Sequence, residues 1–278
     1  QGGFVFVNGT SAVQIKIPFA GQTTEGGRKQ EEFSNDIASD KWLTNLSVHQ
    51  GRATYKLAGF GMHKDGLEAV DRFDGYNPPA FLISPEINFP HPEHKLGSFC
   101  RDVLPLRHEA IWSFTAQGKV GEFMTFKWNS DLGTNQKELY LVDENSLNVI
   151  DFRAVNQYTF RLINNHPFKI YFGENVREKM LPNSISLLGP YPNPISKIDK
   201  PAFKIALPDN ADVYSLNVEI LNNTGTSVCS FSKTLQSGFH DLALELNTQL
   251  ATGGMHYYRV ILVSSNRYEV FTGKLIIL

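Results

Sequence analysis

The sequence predicts an all-β protein made of two β-sandwich domains, the second a seven-stranded immunoglobulin-like sandwich. Three observations carry that expectation. No long window places apolar residues at i, i+3, i+4 and i+7, the stripe that an amphipathic helix needs to bury one face. Short apolar runs, alternating or rich in aromatics, recur along the chain and are separated by Gly, Asn, Asp or Pro. Composition agrees, with 20 Phe, 10 Tyr and 22 Gly against a charged fraction of 19%, below the roughly 25% of an average soluble domain.

The opening Phe4-Val5-Phe6-Val7, followed by Asn8-Gly9 and then alternating Val13, Ile15 and Ile17, reads as a hairpin. Asn-Gly supplies the positive φ angles of a type I′ turn. Further strands are expected at Ala53-Tyr55-Leu57, Ile111-Trp112-Ser113-Phe114, residues 123–128, residues 139–142, Tyr158-Phe160-Leu162 and Phe168-Ile170-Phe172. Residues 63–71 offer one helical turn at most. Between Asp71 and Leu106, six prolines (Pro78, Pro79, Pro85, Pro90, Pro92 and Pro105) cannot donate into a ladder, so a long ordered loop with short strands is expected. A polar stretch then passes into Gly189-Pro190-Tyr191-Pro192-Asn193-Pro194, which should be stiff, extended and unsuited to regular structure. The first domain is therefore placed at residues 1–175, a linker poor in apolar side chains at 176–188, and the second domain at 189–278. About seven strands are expected there, with runs at Phe203-Ile205-Leu207, Leu216-Val218-Ile220, Val228-Cys229-Ser230, Leu242-Leu244-Leu246, Tyr257-Arg259-Ile261-Val263 and Tyr268–Ile277. Asn222-Asn223-Thr224-Gly225, Ser237-Gly238 and Ser264-Ser265-Asn266 supply turns between them. Strands this short and evenly spaced are the mark of an immunoglobulin-like sandwich.

Charge and hydropathy exclude several partner classes. With 26 basic and 28 acidic residues the net charge is −2, which leaves no global field for nucleic acid or an anionic membrane. No apolar run approaches the roughly 20 residues of a spanning helix. Cys100 and Cys229 are too few for a disulfide framework or a spaced zinc site and are expected as unbridged side chains in separate domains. The start at Gln1, without Met or a leader, suggests a longer parent protein.

The candidate sites are sparse. Asp65, Glu68, Asp71 and Asp74 gather four carboxylates in ten residues, an oxygen density suited to calcium but without the EF-hand spacing; calcium is the ligand weighed against a solvated acidic loop. His91, Glu93, His94 and His108 carry zinc-type donors, but their spacing fits no regular element and Pro92 interrupts it. No Gly-x-Ser-x-Gly elbow is present, neither cysteine has a nucleophile's context, and the acidic pair Glu31-Glu32 lies in polar sequence that would not raise a carboxyl pKa. No catalytic residue is assigned. Trp42, Trp112, Trp128, Tyr55 and Tyr76 could line a sugar-binding face, but aromatics at strand spacing are normally core residues.

Residues 189–278 resemble the C-terminal sorting domain of the type IX secretion system, found at the ends of proteins exported across the outer membrane of Bacteroidetes. The resemblance rests on Tyr191-Pro192-Asn193-Pro194 at the opening, Phe203-Lys204-Ile205-Ala206-Leu207-Pro208 as a first strand, and Val218-Glu219-Ile220-Leu221 followed by Asn223-Thr224-Gly225. It continues in Ser237-Gly238-Phe239-His240, in Gly253-Gly254-Met255-His256-Tyr257-Tyr258-Arg259, and in the terminal Thr272-Gly273-Lys274-Leu275-Ile276-Ile277. Ile195 departs from the family's usual Phe, and Asn222-Asn223 from its usual Asn-Gly or Asp-Gly. Upstream, Asp71-Arg72-Phe73-Asp74, Phe89-Pro90-His91-Pro92-Glu93, Trp112-Ser113-Phe114, Leu139-Tyr140-Leu141-Val142-Asp143 and Tyr158-Thr159-Phe160 resemble the β-rich domain common before such tails. Gly3-Phe4-Val5-Phe6-Val7 is similar to a strand found deep within these proteins.

The resemblance implies a non-catalytic region of a cell-surface or extracellular protein, exported through the periplasm and recognised by outer-membrane secretion machinery. It assigns recognition to Tyr191, Pro192, Asn193, Pro194, Gly238, His240, Gly254, Tyr257, Gly273, Lys274, Leu275 and Ile276, and processing to the polar stretch at 174–188. Residues 268–278 alternate and end on Leu275-Ile276-Ile277-Leu278 without a charge or proline after them; such a strand is either buried at a sheet centre or offered to another protein. Two other readings stand beside this one: a structural subunit of an extracellular filament or surface layer, self-associating through sheet edges, and the accessory domains of a secreted hydrolase.

Overall fold

A computed structural model describes residues 32–78, 83–94, 98–134, 136–196, 199–209, 213–244 and 253–278. The expected hairpin at Phe4–Val7 and Ile17 lies outside them, as does Leu246. The all-β expectation holds, with strands making up nearly all the regular structure. In chain order the first eleven are β1 (Lys41–Gln50), β2 (Ala53–His63), β3 (Gly75–Tyr76), β4 (Glu86–Asn88), β5 (Phe99–Pro105), β6 (Ala110–Gln117), β7 (Phe123–Lys127), β8 (Glu138–Asp143), β9 (Asn148–Asp151), β10 (Gln157–Arg161) and β11 (His166–Gly173). They form a six-stranded sheet in the order β10-β7-β1-β2-β5-β3 and a five-stranded sheet in the order β4-β6-β11-β8-β9. The β2–β5 pair is parallel; the intervening proline-rich loop carries β3 and β4, as its composition implied.

Between the sheets lies an aromatic core. Trp42, Phe60 and Trp112 meet within about six ångströms of one another, and Phe114 stacks on Phe168 at 5.2 Å. Each buried Phe contributes roughly 1.5–3 kcal/mol from removal of its surface from water. Trp42 and Trp112 are fully buried here, which removes them from any sugar-binding face, whereas Trp128 keeps 7% of its surface exposed. Tyr55 is half-buried and bonded to Asn77; Tyr76 alone of the five is well exposed.

The central strand β1 was not apparent in the sequence. Its inward positions run Trp42, Thr44, Leu46, Val48 and Gln50, so two polar residues interrupt the alternation. Gln50 is buried because its amide closes a two-way pair with Lys119: Nε2 donates to Lys119 O and Oε1 accepts from Lys119 N, both at 2.8 Å. Residues 64–71 make turns and bends rather than the helical turn envisaged.

The single helical turn among the described residues, α1 (Val176–Lys179), falls instead in the stretch read as a linker. That stretch is not poor in buried apolar groups. Val176, Met180 and Ile185 are buried, and the first two pack with Tyr140, Val142 and Tyr171 in a cluster that Phe239 also joins.

Then come β12 (Ser186–Tyr191), β13 (Ala202–Leu207), β14 (Tyr214–Leu221), β15 (Ser227–Leu235), β16 (Gly238–Ala243), β17 (Gly254–Val263) and β18 (Tyr268–Ile277). Six of them lie on the runs read from the sequence and β12 does not; they split into a three-stranded sheet β12-β13-β16 and a four-stranded sheet β15-β14-β17-β18. Phe203, Ile205, Leu216, Val218, Val260, Leu262 and Leu275 fill the space between them. β12 corrects the reading of the Gly-Pro-Tyr-Pro run as unsuited to regular structure: Ser186, Leu187 and Leu188 pair with Ala206, Ile205 and Lys204, and after an irregularity Tyr191 pairs with Ala202. As the first strand of an edge, β12 tolerates Pro190, which has no N–H to give.

Candidate functional site

Most of the residues that the resemblance singled out for recognition lie at one corner of the second sandwich. After β12 the chain leaves its sheet, and Ile195 reaches across to bridge Ile277 in parallel. Ile195 N donates to Ile276 O at 2.8 Å, and Leu278 N donates to Ile195 O at 2.9 Å. Asn193 extends this ladder with its side chain. Its Nδ2 donates to Lys274 O at 2.8 Å and its Oδ1 accepts from Ile276 N at 3.0 Å. A carboxamide carries one donor group and one acceptor, so it does for β18 what a neighbouring strand's peptide would do.

The terminal strand is therefore an edge strand whose last residues are covered, neither buried at the sheet centre nor wholly free. Leu275 and Ile277 point into the core, whereas Lys274, Ile276 and Leu278 point out. Across the ladder Gly254 sits opposite Ile277, Tyr257 opposite Lys274 and Tyr258 opposite Gly273. Gly273 has a packing reason for being glycine: a Cβ there would lie 2.3 Å from the Tyr258 hydroxyl, and the Tyr258 ring in turn packs edge-on against Phe203 at 5.0 Å. Tyr191 stands exposed at the end of β12. The outer surface of β17 and β18 is apolar for an exposed face, with Met255, Tyr257, Val263, Tyr268, Val270 and Ile276 all solvent-accessible. Arg259 and Glu219 form an ion pair in its middle.

Gly238 and His240 are not part of this corner. They lie on β16, the edge of the other sheet, where Gly238 adopts a φ of +135° and His240 Nε2 bonds Gln236 O at 2.7 Å to close the preceding turn. Their positions are explained by local backbone geometry.

The four carboxylates considered for calcium are not brought together. Asp71 accepts from Leu67 N at 2.8 Å and Phe73 N at 2.7 Å, while Asp74 accepts from Asp71 N at 2.8 Å and Val103 N at 2.9 Å. Glu68 is bound to Arg107, and Asp65 lies 3.9 Å from His63 Nδ1. Their oxygens hold a loop in shape; among the described residues no three His, Cys, Asp or Glu side chains form a metal-binding set. The same holds for the histidines. His91 Nδ1 lies 3.0 Å from Glu93 Oε1 and its Nε2 3.8 Å from Asp102 Oδ1, whereas His94 turns its ring toward Phe99 and His108 is exposed elsewhere. Asp102, which was not among the candidate site residues, is the most perturbed acid here: burial pushes its carboxyl up to about 7, with His91 opposing and Asp74 and Glu68 reinforcing. Burial likewise raises Asp74 despite its two backbone donors.

Cys100 is buried, with its Sγ 3.4 Å from Gly75 O and its thiol pKa raised by burial; Cys229 is partly exposed, and neither forms a disulfide. Among the described residues no helix is long and apolar enough to cross a membrane.

No protein-family model matches the chain, and no curated protein matches it. Solved structures share limited similarity. Dimeric latent PorU from Porphyromonas gingivalis aligns with a TM-score of 0.30 and 12% identity over 85% of this chain and 29% of that one. A calcium-binding mutant of Bacteroides uniformis beta-glucuronidase 2 aligns at 0.21 and 10% over 88% and 32%, and a glycoside hydrolase family 2 beta-glucuronidase at 0.19 and 10% over 89% and 31%. The chain thus spans about a third of the length of these structures.

Proposed function

We propose that this chain is the non-catalytic C-terminal region of an exported cell-surface or extracellular protein, and that residues 189–278 are a sorting domain read by outer-membrane type IX secretion machinery after folding in the periplasm. The observation that carries the reading is the joining of Tyr191-Pro192-Asn193-Pro194 to Lys274-Leu275-Ile276 through the Asn193 side chain, across 81 and 83 residues of sequence. Two motifs that the resemblance picks out separately become one surface, and only the folded sandwich presents it. The remainder of β18 is an open edge beside an apolar outer face, the arrangement by which one protein adds a strand to another. No chemistry is assigned to the chain itself.

The test is delivery of the full-length chain in a type IX-competent bacterium. Deleting residues 268–278 should leave the protein in the periplasm. Asn193→Ala removes both side-chain bonds to β18 at a cost of about 1–2 kcal/mol, and it should slow surface delivery while the periplasmic protein keeps its strand-dominated circular dichroism spectrum. Normal delivery of the deletion variant overturns the proposal.

A further inference from the structure

The first sandwich holds a second surface that the sorting reading does not use. β1 is paired with β2 from Lys41 to Gln50 apart from a bulge at Ser47, but on its other side the pairing is interrupted. Leu43 N donates to Ser34 O at 3.0 Å at one end, and β7 pairs from Ser47 onward, with Ser47 opposite Lys127. Between these two anchors no strand among the described residues neighbours β1 on this side, because β7 ends at Lys127. The result is a groove of about 290 Å³ lined by Thr44, Asn45, Ser47, Lys127, Trp128 and Asn129. Strand hydrogen-bonding groups alternate in direction, so the alternation that sends Leu43 N–H toward Ser34 also turns the Asn45 peptide toward this groove.

The lining chemistry is narrow. Asn45, Asn129 and the nearby Asn35 offer amides that donate and accept at once, and Ser47 adds a hydroxyl. Asn129 Oδ1 already accepts from Asp131 N at 3.0 Å, which leaves its amino group as the donor. Thr44 is only 4% exposed, and its hydroxyl has no hydrogen-bond partner among the described residues. A buried orphan hydroxyl costs about 1–3 kcal/mol, so its retention beside a polar groove calls for a partner. Trp128 and Leu132 supply the apolar component.

We infer that this groove binds a single saccharide unit of a glycan. A sugar presents hydroxyls that both donate and accept, which matches paired amides and hydroxyls. Among the described residues no carboxylate lines the groove, which disfavours a cation, and the one ammonium there, Lys127, is too little positive charge for a polyanion. The three residues between the two anchors are too few for strand addition by a peptide. The volume lies at the lower end of ligand pockets, enough for one ring, with its neighbours in the chain passing into solvent at the open side. This inference is independent of the sorting proposal and can fail or stand without it.

The test is a titration of the ¹⁵N-labelled full chain with the methyl glycosides of glucose, galactose, mannose and N-acetylglucosamine, and separately of glucuronic and galacturonic acid, at millimolar concentrations. At least one should shift the side-chain amide signals of Asn45 and Asn129 saturably. Asn129→Ala, at an exposed position that leaves the fold intact, and Thr44→Val, which keeps the shape but deletes the orphan hydroxyl, should each weaken that binding by about tenfold, the equivalent of one lost hydrogen bond. Lys127→Ala should weaken the acidic sugars selectively. No shift of these signals by any of the six glycosides, or binding unchanged in both Asn129→Ala and Thr44→Val, overturns the inference.

Discussion

Replacing Asp143 by Asn will cost the first sandwich about 2–4 kcal/mol at neutral pH. The carboxylate is completely buried, yet it accepts from four donors: His166 Nε2 at 2.8 Å, Asn145 N at 3.0 Å and Ser146 N at 3.1 Å on Oδ1, and the Tyr158 hydroxyl at 2.8 Å on Oδ2. Ile163 N lies 3.4 Å from His166 Nδ1 and points to it as acceptor, so the ring proton sits on Nε2. Burial alone would raise this carboxyl; the hydrogen bonds from His166, Tyr158 and Ser146 outweigh it and leave the pKa below the usual value. Bonds to a charged acceptor are worth roughly 1.5–3 kcal/mol and neutral ones roughly 0.5–1.5. An amide therefore forfeits about 1 kcal/mol at each of the three Oδ1 bonds, and its amino group turns toward Tyr158, which already takes a bond from Asn148 Nδ2 at 2.8 Å. Relief of the desolvation penalty offsets part of this, which gives the stated range, a large share of a typical 5–15 kcal/mol.

The assay is urea denaturation followed by tryptophan fluorescence, which reports the first sandwich because Trp42, Trp112 and Trp128 all belong to its core. A depressed folded-state pKa gives stability that is complete above the unfolded value of about 3.9 and is lost as pH falls through the folded one. The gap between wild type and Asp143→Asn should thus be constant above about pH 5 and narrow below about pH 4. A gap under about 1 kcal/mol at pH 7, or one that does not narrow in acid, would refute the reasoning.

Three further expectations follow from the same physics. A Cβ on Gly61 would lie 2.1 Å from Trp42 O, a backbone atom of the central strand pair, so Gly61→Ala should destabilise by about 3 kcal/mol or more, measured by the same fluorescence transition; a change under about 1 kcal/mol would show that β1 and β2 can part easily. Asp102 has the opposite sign to Asp143: with its folded carboxyl up to about 7, its favourable contribution is present in acid and lost as pH rises through that value. Asp102→Asn should therefore stabilise by about 1–3 kcal/mol at pH 8 and progressively less toward pH 4; a pH-independent effect would argue against the perturbation. Under native conditions a thiol reagent should modify Cys229 well before Cys100, whose burial both shields the sulfur and raises its pKa, and equal rates would contradict the packing described around Gly75.

Fold class and the strands of the second sandwich could be read from the chain because local pattern encodes them. Alternation such as Leu216-Val218-Ile220 decides which side of a strand is buried wherever that strand ends up. Turn residues such as Asn222 act locally as well, its Oδ1 accepting from Thr224 N and Thr226 N within the same loop. Elements whose buried side chains are polar escaped that reading. β1 places Thr44 and Gln50 inward, and Gln50 is tolerated only because Lys119 lies 69 residues away in sequence and against it in space. Residue type alone was likewise misleading for Asp71 and Asp74, whose clustering suggested a cation until backbone amides claimed their oxygens. Local pattern thus accounts for the β class, for six of the seven strands of the second sandwich and for the two motifs that its resemblance singles out. That Asn193 meets Lys274 and Ile276, and that no described strand pairs with β1 beside Thr44 on the side away from β2, follows only from the packing of the sheets, because hydrogen bonds between distant segments leave no trace in local pattern.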